Sequence, residues 1–330
     1  MIRKLSLILF LFCGVAATSQ VTQKRTLSML GSPFEMIVEA KDIPAADAYI
    51  DMAVAEVSRI ENLISDWIST TPISDVNRNA GIKPVKVPQE VFDLVQRSIK
   101  ISELTSGAFD ISYASMDKIW KFDGSMTEMP TPEEIKKSVE KVGYKNIILD
   151  AENNTIFLKN KGMKLGLGGI GQGFIADKIK ALLISKGVVA GIVNISGDIN
   201  TWGKQLNGEK WKVGIKNPLN KDKIFATFPL EDSAVETSGS YEKYVTFNGI
   251  RYSHIIDTRT GYPASGVISV SVFAKSTEFA DALATGIFVM GVDVGLDLVN
   301  QLPGIGCIYV DDKGKIFASK NIDLKKFNNE

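Results

Sequence analysis

Between Gly162 and Gly173 the chain packs six glycines into twelve residues, Gly162-Met-Lys-Leu-Gly166-Leu-Gly168-Gly169-Ile-Gly171-Gln172-Gly173. So little side chain cannot build a core of its own. The stretch must be a tight turn against which other backbone packs, and the residues after it read as a helix. Two readings share that geometry. Gly166, Gly168 and Gly171 satisfy G-x-G-x-x-G, whose backbone N–H groups and helix N-terminus can hold a pyrophosphate; alternatively, the glycines only permit close packing. A dinucleotide-binding βαβ unit would carry an acidic residue about twenty positions further on. That region reads Leu182-Leu-Ile-Ser-Lys-Gly187, and the cluster does not open the chain.

The rest of the pattern argues against strict strand-helix alternation. Arg25 to Ala40 alternates as an opening strand or hairpin. After Pro44, Ala53, Val57, Ile60 and Ile64 recur at helical spacing, which predicts a helix ending near Ser65. A polar loop over 66–81, carrying Trp67, is longer than a connector needs. A second helix follows from about Pro88 to Thr105, and Leu149 to Ile156 reads as a hairpin. The helix after the glycines runs to about Lys186, before a buried strand from Val188 to Ile195. Short strands fill Trp211 to Ile256, with Asn248-Gly249 as a hairpin turn. A strand over Val267 to Ala274 then leads into a helix starting at Ser276. Helices gathered early and strands late predict an α+β fold: mixed or antiparallel sheets with flanking helices in one compact two-lobed unit.

Charge narrows the function. The chain has 38 basic and 38 acidic residues, which excludes a basic nucleic-acid face and a polybasic membrane surface. An anionic ligand must be held by local devices. One histidine and two cysteines exclude a His-rich zinc site and a Cys-rich cluster, so any metal should have oxygen ligands. There is no G-x-S-x-G elbow, Walker A sequence or H-E-x-x-H.

The N-terminus reads as an export signal over residues 1–19: Arg3 and Lys4, the apolar run Leu5 to Phe12, then small residues from Gly14 to Ser19. The expected location is the periplasm. Cys13 stands where a lipoprotein would be lipidated, although Phe12 precedes it instead of a small residue. A membrane anchor follows only if Cys13 is lipidated. Cys307, in an apolar strand-like run, reads as a buried small hydrophobe.

Further segments join the glycine cluster: Thr105-Ser-Gly-Ala-Phe-Asp-Ile111, Asn194-Ile-Ser-Gly-Asp-Ile199, Thr237-Ser-Gly-Ser-Tyr-Glu242, Tyr252-Ser-His-Ile-Ile-Asp-Thr-Arg-Thr-Gly261 and Ala280-Asp-Ala-Leu-Ala-Thr285. In order and content they closely resemble the ApbE family of FAD:protein FMN transferases, over about Leu27 to Gly291. The resemblance implies one ApbE-like domain over 20–330. It also implies a reaction in which FAD is the substrate: it is split at its pyrophosphate, FMN passes to a Ser or Thr hydroxyl of an exported acceptor protein, and AMP leaves. Mg²⁺ is required. An oxygen-liganded Mg²⁺ suits a neutral chain, because phosphoryl transfer is mostly positioning and charge neutralisation.

The resemblance also assigns residues. Asp281, Thr285 and the Gly169 carbonyl become the metal site; Asp281 and Thr285, at i and i+4 on the predicted helix, share a face. Flavin contacts carry over to Ala108, Phe109 and Asp110, to Trp67 where relatives often have Tyr, and to Ile255. Asn77 matches a position near the ligand, and Leu30 stands where Met is usual. Gly166 and Gln172 occupy ligand-contact positions where many relatives carry Asp and Lys or Glu. His254 is assigned the proton of the attacking hydroxyl, with Asp257 or Ser253 as its orienter. Thr237 to Ser240 would cradle a phosphate, line the acceptor channel or form a simple turn. Two alternatives to transfer remain open: hydrolysis of FAD to FMN and AMP, and an exported FAD-binding protein without turnover.

Overall fold

The computed structural model describes residues 20–240 and 243–324. The export segment with Cys13 lies outside the described residues, as do Tyr241 and Glu242 of the Thr237 motif. The chain begins with the hairpin β1 (Val21–Met29) and β2 (Ser32–Ala40), followed by α1 (Ile43–Ile64), α2 (Pro72–Arg78), β3 (Val85–Lys86) and α3 (Gln89–Leu104). A 3₁₀ turn at Ile111–Ser115 precedes α4 (Pro132–Ser138), β4 (Ile147–Asp150), β5 (Thr155–Leu158) and α5 (Gly171–Ser185). Strands then dominate: β6 (Gly191–Ile195), β7 (Asp198–Trp202), β8 (Trp211–Asn217), β9 (Asn220–Leu230), β10 (Ala234–Gly239), β11 (Tyr244–Phe247), β12 (Ile250–Ser253) and β13 (Val267–Ala274). The described chain closes with α6 (Thr277–Asn300), β14 (Gly306–Asp311) and β15 (Ile316–Ala318).

The central sheet has eight strands in the order β1-β2-β6-β7-β10-β13-β14-β15. Each pairing between described strands is antiparallel, so the expected α+β class holds without any parallel component. This excludes a doubly wound dinucleotide fold, which needs parallel strands. No strand leads directly into the glycine cluster; Met163 and Leu165 are buried in irregular backbone.

Local chemistry explains the helix boundaries. Asp42 caps α1 by accepting from the Ala45 N–H at 2.8 Å, with Pro44 in the first turn. The loop expected over 66–81 contains α2, because Thr71 accepts from the Ser74 N–H and Pro72 follows it at the first helical position. Asn248 and Gly249 both have positive φ, as a two-residue hairpin turn between β11 and β12 requires.

Two cores lie side by side on the helix-covered face of the sheet. Phe34, Met36 and Val38 of β2 pack with Ile50, Val57 and Ile60 of α1 and with Phe174 and Ile179 of α5. Val270 and Val272 of β13 pack with Leu283, Ile287 and Phe288 of α6. By length and composition α6 could cross a membrane, but here its N-terminal half is buried in the second core, and Gly291 at φ 79° interrupts it. Gly173 lets α5 and α6 touch: a Cβ there would lie 2.4 Å from the Thr277 carbonyl oxygen.

Candidate active site

A cavity of about 810 Å³ opens where β7 and β10 part company. The two strands pair only at Ala234–Asn200 and Val235–Ile199. Beyond that point Glu236 to Gly239 face the cleft with no β7 partner, and the start of β7 contributes Asp198 opposite them. The segment from Thr237 is therefore a strand continuing β10, paired with β13, rather than a simple turn. Thr237 Oγ1 shares a 2.7 Å hydrogen bond with Ser271 Oγ, and Ser240 Oγ donates to the Val267 carbonyl.

The glycine turn and α6 form the facing wall. Asp281 and Thr285 point into the cleft from the N-terminal half of α6, whose first turn is capped by Ser276 accepting from the Phe279 N–H. Gly169 sits against Thr285, since a Cβ on it would lie 3.3 Å from Thr285 Oγ1, and it lines the same cleft as Asp281. Asp281 Oδ2 accepts from the Gly173 N–H in the first turn of α5 at 3.2 Å. The three residues assigned to a metal thus converge. Their donors are a carboxylate, a hydroxyl and a carbonyl, a set that fits a hard divalent cation.

The floor of the cleft is more acidic than expected. Asp198, Glu236 and Asp281 are buried, and one carboxylate oxygen from each lies within 4.8 Å of the others. Burial pushes all three carboxyls up, and proximity to one another or to Asp177 and Glu278 adds to it. Asp281 is pushed up to about 7, with the Gly173 N–H pulling the other way. Asp198 and Glu236 were not singled out in the sequence as site residues. Asp198 lay within a motif that carries the resemblance, but the closeness of Glu236 depends on strand register. Lys216, Lys243 and Tyr113 also line the cleft, so a neutral chain still brings two cations to this ligand surface.

Other assigned residues divide between the cleft and the scaffold. Ala108, Phe109, Asp110, Gln172, His254 and Ile255 line the cavity. The Asp110 carboxylate, however, is occupied: it accepts from the Ser112 N–H and Oγ–H at 2.7 Å and from the Tyr144 N–H at 2.8 Å, holding the 3₁₀ turn in place. Burial pushes its carboxyl up while these donors pull it down. Its place in the cleft is that of a shaping residue.

Four positions lie outside the cavity lining. Leu30 adopts φ 55° in the tight β1–β2 turn and packs on the first core. Trp67 is 83% exposed, with the Lys118 ammonium 5.2 Å from its ring. Asn77 braces the glycine segment, donating to the Leu165 carbonyl at 3.0 Å and accepting from its N–H at 2.7 Å. Gly166 is needed because Tyr113 and Ala114 would stand 3.0 Å from a Cβ.

His254 follows the end of β12 at the exposed edge of the cleft. Neither expected orienter holds its ring: Ser253 Oγ accepts from the Ile255 N–H, and Asp257 forms a bidentate pair with Arg259. Instead Nδ1 lies 3.2 Å from the Lys243 carbonyl oxygen. A carbonyl only accepts, so Nδ1 is the donor in this contact.

Fold and cleft together define an α+β protein in which an antiparallel sheet, a glycine turn and two helix N-termini converge on buried carboxylates. The ApbE family model matches residues 30–309, and the chain belongs to the ApbE family. Among its relatives, the FAD:protein FMN transferase of Treponema pallidum is 28% identical over 340 residues, covering 97% of this chain and 94% of that protein. The one from Vibrio cholerae is 30% identical over 276 residues, 81% of this chain and 82% of its own. Among solved structures, the ApbE protein of Thermotoga maritima superposes with a TM-score of 0.83 at 30% identity, covering 94% of this chain and all of that one. The apo flavinyl transferase ApbE of Pseudomonas stutzeri gives 0.81 at 25% identity, covering 91% and 95%.

Proposed function

We propose that this chain is an FAD:protein FMN transferase that moves the FMN portion of FAD to a Ser or Thr hydroxyl of an exported acceptor protein and releases AMP. The observation that carries this reading is the convergence of Gly169, Asp281 and Thr285 in a cleft of about 810 Å³, at the upper end of the small-molecule range.

Gly169, Asp281 and Thr285 would hold Mg²⁺, which supplies charge neutralisation at the pyrophosphate. Residues of the chain do the rest. Backbone N–H groups of the glycine turn and the N-terminus of α5 favour phosphate oxygens without a basic field. Lys216 and Lys243 supply positive charge at the wall. His254 Nε2 takes the proton of the acceptor hydroxyl as the new oxygen–phosphorus bond forms and the bond to the AMP oxygen breaks. Because His254 is exposed at the edge of the cleft, a side chain of a folded partner can reach it.

We further propose that residues 1–19 direct export to the periplasm, where the acceptor would be met, with Cys13 as the only route to a lipid anchor. The test is incubation of the chain with FAD, Mg²⁺ and a candidate exported acceptor, followed by a denaturing gel read for flavin fluorescence. Covalent label on the acceptor is expected. Free FMN with no labelled acceptor would replace transfer by hydrolysis, and intact FAD would leave a binding protein.

A further inference from the structure

We infer that Tyr113 is a further substrate-binding residue, whose phenol hydroxyl donates to a phosphate oxygen of the dinucleotide held against the glycine turn. The inference rests on the reading of FAD as the ligand of this cleft and adds a contact to it. Tyr113 belongs to the 3₁₀ turn Ile111–Ser115 and lines the cavity together with Gly168 and Gly169. Its hydroxyl oxygen would stand 3.0 Å from a Cβ on Gly166 and 2.9 Å from one on Gly168. The end of the phenol therefore rests on two bare positions of the turn.

The backbone that carries Tyr113 is laced to the same segment. The Gly166 N–H donates to the Ile111 carbonyl at 2.8 Å, while Ser115 Oγ accepts from the Lys164 N–H at 2.7 Å and donates to the Lys164 carbonyl at 3.1 Å. Asp110 fixes the start of the turn through the Ser112 and Tyr144 N–H groups. The ring is thus aimed by braced backbone. What remains is its proton. The Gly168 N–H is directed at the phenol oxygen, and among the described residues no carbonyl or carboxylate accepts from the hydroxyl. Tyr309, by contrast, donates to the Ile287 carbonyl at 2.9 Å. An oxygen that accepts one hydrogen bond donates the next more strongly, and a bond to an anionic oxygen is stronger than one to a neutral carbonyl. With the residue 37% exposed and lining the cleft, a ligand phosphate is the acceptor this donor fits.

Tyr113→Phe removes the oxygen and keeps the ring. FAD affinity, measured by flavin fluorescence on the full chain with Mg²⁺, should fall about tenfold or more, the scale of a hydrogen bond to a charged group. Riboflavin, which has the ring system and no phosphate, should bind the two chains within about twofold of each other. Without ligand, the variant should melt together with the wild type. FAD affinity equal to that of the wild type would overturn the assignment. An equal loss for riboflavin would overturn it too, because the ring would then act by packing alone. A chain that binds FAD and labels no acceptor would count against the proposed transfer and leave these affinity readings in force.

Discussion

The Gly173 N–H donates to Asp281 Oδ2 over 3.2 Å, and the same glycine approaches α6 so closely that a Cβ would fall 2.4 Å from the Thr277 carbonyl oxygen. One residue without a side chain thus does two things: it brings α5 against α6, and it orients the carboxylate at the centre of the cleft. Gly173→Ala must push the helices apart. We expect a loss of about 1–3 kcal/mol in chemical denaturation, the usual cost of overpacking, together with weaker metal binding. Unchanged stability would mean that the interface yields more easily than its backbone contact implies.

Asp281 separates metal chemistry from folding. Asp281→Asn keeps the shape of the side chain while removing a buried charge, so the fold should survive. Transfer should fall by at least about 10²-fold, comparable to loss of one strong electrostatic contact to a reacting group. The check is covalent flavin label at limiting Mg²⁺; turnover equal to the wild type would remove Asp281 from the metal site.

His254 should behave in the opposite way. It is exposed, and its replacement disturbs no core, so His254→Ala should change stability by less than about 0.5 kcal/mol. FAD affinity, measured by flavin fluorescence, should stay close to that of the wild type, whereas transfer should slow by about 10²–10⁴-fold, the range for a lost general base. Equal rates for the variant and the wild type would place the base elsewhere.

How far the sequence carried this picture depended on the range of the interaction. Asp281 and Thr285 were readable because four residues on one helix fix a shared face, and Ser276 marked where that helix begins. The β11–β12 turn was equally local, written in Asn248 and Gly249. Glu236 was invisible as a site residue because its closeness to Asp198 depends on β7 and β10 separating after Val235, a matter of register between strands far apart in sequence. The orientation of His254 was hidden for a similar reason: one of its partners is a backbone carbonyl, which carries no side-chain signature. Asn77 shows a different limit. A motif position near a ligand looks the same in sequence whether the side chain touches that ligand or braces the loop beside it.

The brace is testable. Asn77 satisfies both the N–H and the carbonyl of Leu165, in a segment with no regular secondary structure to do so. Asn77→Ala should cost about 1–3 kcal/mol by leaving those groups unpaired. Amide hydrogen exchange should rise around Leu165 and the following glycines. A variant that loses FAD affinity with no change in stability or exchange would return Asn77 to the ligand.

The last prediction concerns pH. The Cys307 side chain is buried in the second core, and burial pushes its thiol up to about 12, with the Ser319 hydroxyl and N–H contacts opposing. Tyr309, two residues along the same strand, is pushed up by burial too. For a group raised in the folded state, the stabilising contribution is complete below the unfolded value, about 8.5 for a thiol, and it is lost as pH rises through the folded one. Stability should therefore fall progressively as pH rises from about 9 towards 12. The direct readout is alkylation of a Cys13→Ser chain, in which Cys307 is the remaining thiol. At pH 8.5 iodoacetamide should label the denatured chain quickly and the folded chain only at its rate of opening, because only thiolate reacts. Rapid labelling of the folded chain would show that β14 opens locally and that the second core, which carries Asp281 on α6, is looser than its packing indicates.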